Sequence, residues 1–255
     1  MAEEPILFLQ SVSKRFGAVE ALTDVDFEVR PGEVMALVGD NGAGKSTLIK
    51  GIAGIYPFDG GQMFWEGKPV KIHGPRDVAP LGIEIVYQDL ALADNLDVVA
   101  NMFLGRERIS SFRRLNEAEM EKECSETLKS LSVTTVRSVR QAVAELSGGQ
   151  RQAIAVAKAV MWNSKVVILD EPTAALGVAQ TRQVLDLVRR LADRGLGVVI
   201  ISHNLHDVFE VADRITVLRL GRRVAVLKSS ETNQQEVVHA ITAGKLDTVP
   251  GMVVQ

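Results

Sequence analysis

A glycine-rich run near the amino end of the chain has the residue types and spacing of a phosphate-binding loop. Its members are Gly39, Asp40, Asn41, Gly42, Ala43, Gly44, Lys45 and Ser46, followed directly by Thr47. Glycines permit tight turns in which successive backbone N–H groups surround an anion, and the lysine reaches the β- and γ-phosphates. The Ser46 hydroxyl suits Mg²⁺. The run therefore predicts a site for a nucleoside triphosphate, with ATP and Mg²⁺ as the expected ligands.

Two adjacent acids, Asp170 and Glu171, follow an apolar run at residues 166–169. Asp170 is suited to an outer-shell hold on Mg²⁺, and Glu171 to polarising the water that attacks the triphosphate. Such general-base assistance contributes roughly 10²–10⁴-fold to a rate. The alternative is that the two acids cap the next turn, with Pro172 ending a strand. The phosphate-binding loop in the same chain favours the catalytic interpretation.

A second glycine-rich motif comprises Leu146, Ser147, Gly148, Gly149 and Gln150. The serine-to-glutamine spacing is that of a capping box opening a helix, here predicted over residues 153–162. A helix amino end with free N–H groups also binds phosphate, so the capping role does not compete with a binding role. Both glycine-rich motifs occur once, which indicates that a complete site needs two chains.

The hydrophobic pattern of the sequence predicts the strands and helices that position these residues. Short, nearly continuous apolar runs predict parallel strands buried on both faces, at residues 34–38, 166–169 and 198–201. Each run ends in polar residues, at the edge where an open α/β sheet binds its ligand. Alternating stretches predict a small antiparallel sheet on the amino-terminal side, at residues 6–12, 25–29 and 63–72. Residues 47–55 are predicted to be the helix that follows the phosphate-binding loop.

A mainly helical insert is predicted within this α/β core. Residues 116–119 resemble a capping box and precede a helical pattern that runs to residue 131. We expect one domain at 1–245, in which 1–88 hold the antiparallel part and the phosphate-binding part of the core. The helical part then covers 89–160 and the rest of the core 161–245. A last helix is predicted near 234–243, followed by a tail at 246–255.

Composition excludes several classes of protein. The 255 residues are 46% hydrophobic and 24% charged, which is ordinary globular composition. A net charge of −3 does not indicate a general nucleic-acid binder, and Arg113–Arg114 and Arg222–Arg223 are expected on the solvated surface. One cysteine, Cys124, excludes an intrachain disulfide. We expect no signal peptide at residues 1–5 and no spanning segment, since no apolar run approaches the ~20 residues required.

The ordered set of motifs resembles the nucleotide-binding subunits of ATP-binding-cassette (ABC) transporters over nearly the whole chain. Residues 146–152 resemble the family signature. The resemblance implies three further site residues: Gln88 as the glutamine that senses Mg²⁺ and couples to a membrane partner, His203 near the γ-phosphate, and Phe16 stacking on adenine. It implies a RecA-like P-loop NTPase core with an amino-terminal antiparallel β subdomain and an α-helical insert. Taken alone, each residue has a mundane alternative, such as a core aromatic for Phe16.

The same resemblance implies a mechanism and partners. The signature would face the phosphate-binding loop of a second copy, so that two ATP molecules lie in a head-to-tail dimer beneath a membrane permease. The permease would dock at residues 90–98. Residues 101–107, 174–178 and 201–204 resemble ATPases of bacterial simple-sugar importers, most nearly the single-module fructose-type branch. This implies a peripheral protein at the cytoplasmic face of the membrane, working with a periplasmic or extracellular sugar-binding protein and without nucleic acid.

One position departs from the family pattern, and other functions stay open. Gly177 stands where most members have an aspartate that helps link the two sites across the dimer, so tight coupling is in doubt. The alternatives are the ATPase of an exporter, a soluble ABC protein acting in translation or on DNA, and a P-loop kinase. The kinase would lack Gln88 and the motif at 147–150 at these spacings. The sequence does not identify the sugar.

Overall fold

The computed structural model describes residues 4–110 and 114–244, and its centre is a six-stranded sheet. With strands numbered in chain order, the sheet contains Arg222–Lys228 (β10), Arg214–Arg219 (β9), Val34–Val38 (β3), Gly197–Ile201 (β8), Val166–Asp170 (β7) and Ile83–Val86 (β6), in that spatial order. All neighbours pair in parallel except β10, which runs antiparallel to β9. The carboxyl ends of β3, β6, β7 and β8 therefore share one edge.

The predicted core strands are confirmed because their side chains have no exposed face. Every residue of β3 and β8 is buried, as are the first four of β7. Helices lie in the sequence between its strands and after the last of them: Lys45–Ile52 (α1), Pro75–Val78 (α2), Gly148–Met161 (α5), Val178–Asp193 (α6) and Leu205–Val211 (α7) between strands, and Gln234–Ala243 (α8) after β10. The last helix has the predicted bounds. The helix after the phosphate-binding loop begins two residues earlier than predicted and ends at Ile52.

A separate four-stranded antiparallel sheet lies on the amino-terminal side, as predicted. Its spatial order is Val19–Val29 (β2), Leu7–Phe16 (β1), Gly60–Trp65 (β4) and Lys68–Val70 (β5). The prediction of one strand over 63–72 is wrong. The chain reverses at Glu66 and Gly67, which have φ values of 48° and 73°, and β4 pairs with β5 as a hairpin. Two successive residues with positive φ give the tight two-residue turn of such a hairpin, and Gly67 adopts this conformation more readily than Glu66 does.

The helical part of the chain is joined to the sheet through capped helices. Val98–Phe103 (α3) starts at Asp97, whose carboxylate accepts from the Ala100 N–H at 2.7 Å. Glu117–Ser130 (α4) starts at Asn116, as predicted. Between α4 and α5 the chain is loop apart from one 3₁₀ turn at Val143–Glu145. Each helix in the described ranges is too short or too polar to cross a membrane.

A charged cluster ties the two sheets together. Arg214 of β9 donates to Glu33 at 2.9 and 3.0 Å and to Glu28 of β2 at 2.5 Å. Arg30 also donates to Glu28, at 2.9 Å. Burial would raise the pKa of Glu28, but bonds and charge from Arg214 and Arg30 outweigh it and lower that pKa. The ionised carboxylates and guanidinium groups of this cluster therefore anchor the antiparallel sheet to the core.

The surface arginines differ in their contacts. Arg114 and Arg222 are exposed as expected, whereas Arg223 pairs with Asp26 at 3.1 Å. Arg113, the first three residues and the predicted tail at 246–255 lie outside the described residues.

Candidate active site

The phosphate-binding loop connects β3 to α1, the context that the motif requires. Gly44 precedes α1 with φ of 103°, and a Cβ there would lie 2.8 Å from the Ala21 carbonyl oxygen. At Gly39 a Cβ would lie 2.2 Å from the Leu218 carbonyl oxygen. The loop is also tied to the turn after β9, because the Gly221 N–H donates to the Ala43 carbonyl at 3.1 Å. Packing and backbone conformation thus both require glycines in this loop.

Lys45 is folded onto its own loop. Its Nζ donates to the carbonyl oxygens of Gly39 at 2.6 Å and Asp40 at 3.0 Å. Burial lowers the pKa of Lys45, while the nearby charges of Glu171, Asp40 and Asp170 raise it in part. The ammonium group therefore lies in the electrostatic field of both predicted acids. Exchanging two carbonyl oxygens for phosphate oxygens would improve its charge balance.

The two acids lie at the carboxyl end of β7. Asp170 is the last residue of that strand, and burial, with a further contribution from Glu171, raises its pKa. Glu171 has φ of 51°, a conformation that non-glycine residues adopt rarely and that clusters at functional sites. Its N–H donates to the Ile201 carbonyl at 2.9 Å. The strained residue is therefore fixed against the end of the neighbouring strand β8.

His203 is brought directly to Glu171, as the sequence prediction requires of a shared site. Its Nδ1 lies 2.9 Å from Glu171 Oε2, a contact in which Nδ1 carries the hydrogen. The two side chains differ in exposure: 78% for His203 and 16% for Glu171. An exposed imidazole beside a sheltered carboxylate can meet a ligand from solvent while the carboxylate stays oriented.

The three predicted Mg²⁺ ligands offer oxygen donors from three elements. Ser46 is in the first turn of α1, Asp170 ends β7, and Gln88 follows β6, the strand paired with β7. No group of three or more His, Cys, Asp or Glu side chains suited to a metal is found across 4–110 and 114–244. One hydroxyl, one amide and one carboxylate fit Mg²⁺, which prefers few protein ligands together with water and phosphate oxygens.

Phe16 lies at the end of β1 with its side chain 47% exposed. The Tyr56 ring meets it edge to face, with centroids 5.1 Å apart and an interplanar angle of 83°. The Tyr56 hydroxyl donates to the Thr47 carbonyl at 3.0 Å, in the first turn of α1. Phe16, the predicted base-stacking residue, is thereby connected to the helix that follows the phosphate-binding loop.

The signature motif opens α5 as a capping box. The Ser147 side chain accepts from the Gln150 N–H at 3.4 Å, and Gln150 Oε1 accepts from the Ser147 N–H at 2.8 Å. Cβ atoms at Gly148 and Gly149 would lie 3.0 Å from side-chain atoms of Leu176 and Gln180, respectively. The small residues therefore allow the segment that contains Gly177 to pack against the amino end of α5.

The signature is separate from the phosphate-binding loop of its own chain. In the described parts of the chain, no hydrogen bond or ion pair joins residues 147–150 to residues 39–47. The signature helix is instead tied to the segment after Gln88. Arg151 pairs with Asp94 at 3.1 Å, and the Ala144 N–H donates to the Asp94 carbonyl at 3.0 Å.

Sequence reasoning missed two groups of residues that support the site. One is Tyr56, described above. The other is Asp207, which is 3% exposed and accepts from both Thr173 and Asn204, at 2.6 and 2.9 Å. The spacing of Asn204 and Asp207 is a local capping signal that sequence alone could have shown. The contact to Thr173 has no local signal.

This fold and this site together define a P-loop NTPase. A family model described as ABC transporter matches residues 22–174. The chain is 48% identical, over 96% of both sequences, to the fructose import ATP-binding protein FrcA of Rhizobium meliloti. It is 47% identical, over 96% of both, to the xylose/arabinose import ATP-binding protein XylG of Sulfolobus acidocaldarius. The chain belongs to the ABC transporter family and is an ATPase of that family.

Further comparisons address size and assembly. The ribose import ATP-binding protein RbsA 1 of Rubrobacter xylanophilus is 41% identical over 95% of this chain, but this chain covers 48% of its length. A solved ABC transporter cassette in its ADP conformation has a TM-score of 0.79 at 26% identity, covering 94% of this chain and 95% of the other. A dimeric cassette in a post-hydrolysis state with ADP and Pi has a TM-score of 0.72 at 25% identity, covering 88% and 98%. The predicted family is confirmed, and the chain spans 96% of FrcA and of the Sulfolobus XylG but 48% of RbsA 1.

Proposed function

We propose that this chain is the ATP-hydrolysing, energy-coupling subunit of an importer for a monosaccharide of the fructose, ribose or xylose type. Full-length similarity to single-module fructose and xylose/arabinose import proteins supports the cargo class. The observation that carries the proposal is the pairing of Glu171 with His203 beside Lys45 and Asp170. These groups have the roles that ATP hydrolysis requires, and a passive binding site would not need the strained Glu171.

Each predicted residue has a defined role in this proposal. The loop from Gly39 to Thr47 binds the phosphates, with Lys45 neutralising the β- and γ-phosphates. Ser46, Gln88 and Asp170 would hold Mg²⁺, which supplies charge neutralisation on the phosphate oxygens when bound. Glu171 takes the proton from the attacking water, and His203 holds Glu171 and contacts the γ-phosphate. Phe16 stacks on adenine.

The signature acts on the opposite subunit. Ser147, Gly148, Gly149 and Gln150 would bind the γ-phosphate held by a second copy, in a head-to-tail dimer. The separation of these residues from their own phosphate-binding loop supports this arrangement, as does the likeness to a dimeric cassette. In this arrangement residues 1–245 form one ATPase domain whose helical part, 89–160, carries the signature.

The partners follow from the importer assignment. Residues 90–98 would receive a membrane permease, and the Asp94–Arg151 pair would connect that contact to the signature helix. A periplasmic or extracellular sugar-binding protein would select the cargo. The chain would lie peripherally at the cytoplasmic face of the membrane and work without nucleic acid.

Light scattering tests the ATP-dependent dimer. Glu171→Gln retains ATP binding but slows hydrolysis, so with ATP and Mg²⁺ it should shift from monomer to dimer mass. Adding Ser147→Arg to this variant provides the matched control, because a bulky cation at the amino end of α5 should block pairing without touching its own phosphate-binding loop. A monomer mass for Glu171→Gln at saturating ATP would contradict the proposed dimer.

Co-purification tests the transport assignment. A tagged chain expressed with its natural membrane partners should retain a multi-span permease, and the associated sugar-binding protein should bind fructose, ribose or xylose in calorimetry. The chain's ATPase rate should rise when the sugar-loaded binding protein is added to the reconstituted complex. ATPase stimulation by nucleic acid, with no permease retained, would overturn the importer assignment in favour of a soluble ABC protein.

A further inference from the structure

Asp207 is a buried carboxylate for which the ATPase chemistry described above has no use. It is 3% exposed in the first turn of α7, on the same face as the buried Val208 and Val211. Acidic residues are almost never this buried without a partner. In the described part of the chain its hydrogen-bond partners are neutral: the Thr173 hydroxyl at 2.6 Å and the Asn204 side-chain amide at 2.9 Å. Both oxygens are used, one by each donor.

The two donors lie on the two segments that hold the reacting pair. Thr173 is two residues after Glu171, and Asn204 directly follows His203. Those segments meet on the exposed side through the contact between His203 Nδ1 and Glu171 Oε2, at 2.9 Å. The bond from the Glu171 N–H to the Ile201 carbonyl already links their backbones, and Asp207 adds a side-chain connection on the buried side. The His203–Glu171 geometry therefore has a buried side-chain connection behind it.

Helix capping does not account for this arrangement. An acid in the first turn of α7 is favourable, and Asn204 caps that helix by accepting from the His206 N–H at 3.1 Å. Those contacts are local and could be made by an exposed acid. The contact with Thr173, 34 residues away along the chain, requires Asp207 to be buried and does not cap or otherwise stabilise the amino end of α7.

We infer that Asp207 is a positioning residue that holds the Glu171 segment and the His203 segment in the register required for hydrolysis. This inference rests on the proposed roles of Glu171 and His203. A short bond from a hydroxyl to a buried carboxylate is stronger than a neutral one, and the low-dielectric surroundings strengthen it further. Neither segment can shift relative to the other without breaking the Thr173–Asp207 bond, which is buried and which water cannot replace.

Thr173→Val is the sharpest test, because it removes the hydroxyl donor at nearly constant volume. We expect kcat for ATP hydrolysis to fall about tenfold while KM changes less than about twofold. Asp207→Ala should lower kcat at least as much, and the double variant should be no worse than Asp207→Ala alone. Asp207→Asn and Thr173→Ser are the conservative controls. An amide at position 207 can still accept from Asn204 and donate to the Thr173 hydroxyl, and a serine at position 173 keeps the hydroxyl donor. The kcat of both controls should therefore stay within about threefold of the wild-type value.

A His203→Ala background separates positioning from general stability. If Thr173 and Asp207 act through the reacting pair, Thr173→Val should lower the remaining kcat less than about twofold in that background. A full tenfold loss there, or equal losses in kcat and ATP affinity with a lowered Tm, would overturn the inference. Unchanged kcat in both Thr173→Val and Asp207→Ala would also overturn it. Failure of the proposed function has a different outcome, since His203→Ala and Glu171→Gln would then leave kcat unchanged.

Discussion

Replacing Tyr56 should weaken binding of the nucleoside more than binding of the phosphates. Tyr56 connects two parts of the proposed ATP site: its ring meets Phe16 with centroids 5.1 Å apart, and its hydroxyl donates to the Thr47 carbonyl. Tyr56→Leu removes both contacts and keeps an apolar side chain of moderate size. Tyr56→Phe removes the hydroxyl bond alone and preserves the ring.

The expected magnitude follows from these contacts. An edge-to-face aromatic pair contributes about 0.5–1.5 kcal/mol beyond its buried area. Phe16 is 47% exposed and keeps only Lys14 Nζ, 5.5 Å from its ring centroid, as a described ring partner when the Tyr56 ring is removed. The ring is then less ordered, and ordering it when the base binds costs about 0.5–1.5 kcal/mol. We therefore expect Tyr56→Leu to weaken ATP binding by about 1 kcal/mol, or about fivefold. Tyr56→Phe should weaken it about twofold or less.

Isothermal titration calorimetry with two ligands separates the base from the phosphates. Mg²⁺–ATP should show the fivefold loss, whereas Mg²⁺–tripolyphosphate, which lacks a base, should bind wild type and Tyr56→Leu alike. Phe16→Ala is the matched control, because in that background Tyr56→Leu should have no further effect on ATP binding.

Two results would contradict a role of the Tyr56 ring in orienting Phe16 toward the base. Equal losses for ATP and tripolyphosphate would mean that Tyr56 acts on α1 and the phosphate-binding loop rather than on the base. A fivefold loss that persists in the Phe16→Ala background would mean that the ring pair is irrelevant to binding.

Three other perturbations have defined outcomes. Arg214→Met leaves Glu33 with only the Arg30 N–H and Glu28 with only Arg30, so urea unfolding at pH 7 should show a loss of about 2–4 kcal/mol. Because the folded protein lowers the pKa of Glu28, this stabilisation is complete above the ordinary glutamate pKa of 4.5 and is lost as the pH falls through the pKa of Glu28 in the folded protein. The difference in unfolding free energy between variant and wild type should therefore shrink at low pH. A difference that does not depend on pH would contradict this explanation. In Gly44→Ala the new Cβ would lie 2.8 Å from a carbonyl oxygen, whereas in Gly42→Ala it would meet nothing within 4 Å. Gly44→Ala should therefore lower the free energy of unfolding by about 2 kcal/mol more than Gly42→Ala does. Equal losses would exclude packing as the cause. In Gly177→Asp the new Cβ would meet only Gln180 Oε1, at 4.0 Å, so the variant should fold normally and show a changed Hill coefficient for ATP hydrolysis. An unchanged coefficient and rate would exclude a role of residue 177 in coupling the two sites.

The sequence predicts elements best where one local signal decides the structure. The continuous apolar runs in β3 and β8 leave no exposed face, so periodicity identifies them as central strands. The prediction fails over 63–72, where alternation continues in the residue letters through a turn. Gly67 is the local turn signal in this stretch, and the positive φ of Glu66, which its residue type does not favour, is visible only in the backbone conformation.

The site divides in the same way. Lys45, Asp170 and Glu171 are candidates from the sequence alone, since each lies at or after the end of a buried strand, within a short motif whose chemistry is specific. Asp207 is not, because an acid in the first turn of a helix has the same local pattern whether it faces water or a threonine 34 residues away. Long-range contacts of this kind depend on the packing of α7 against the β7 end, which no local pattern specifies.

The ion pair between Arg151 and Asp94 has a practical consequence for protein engineering. Together with the bond from the Ala144 N–H to the Asp94 carbonyl, it links the segment after Gln88 to the start of α5. A chimera that exchanges only the loop at 89–96 with that of a relative would separate Asp94 from the arginine that matches it. Hybrid subunits designed to serve a different permease should therefore take residues 89–151 from one parent, with the crossover points in β6 and in the later turns of α5.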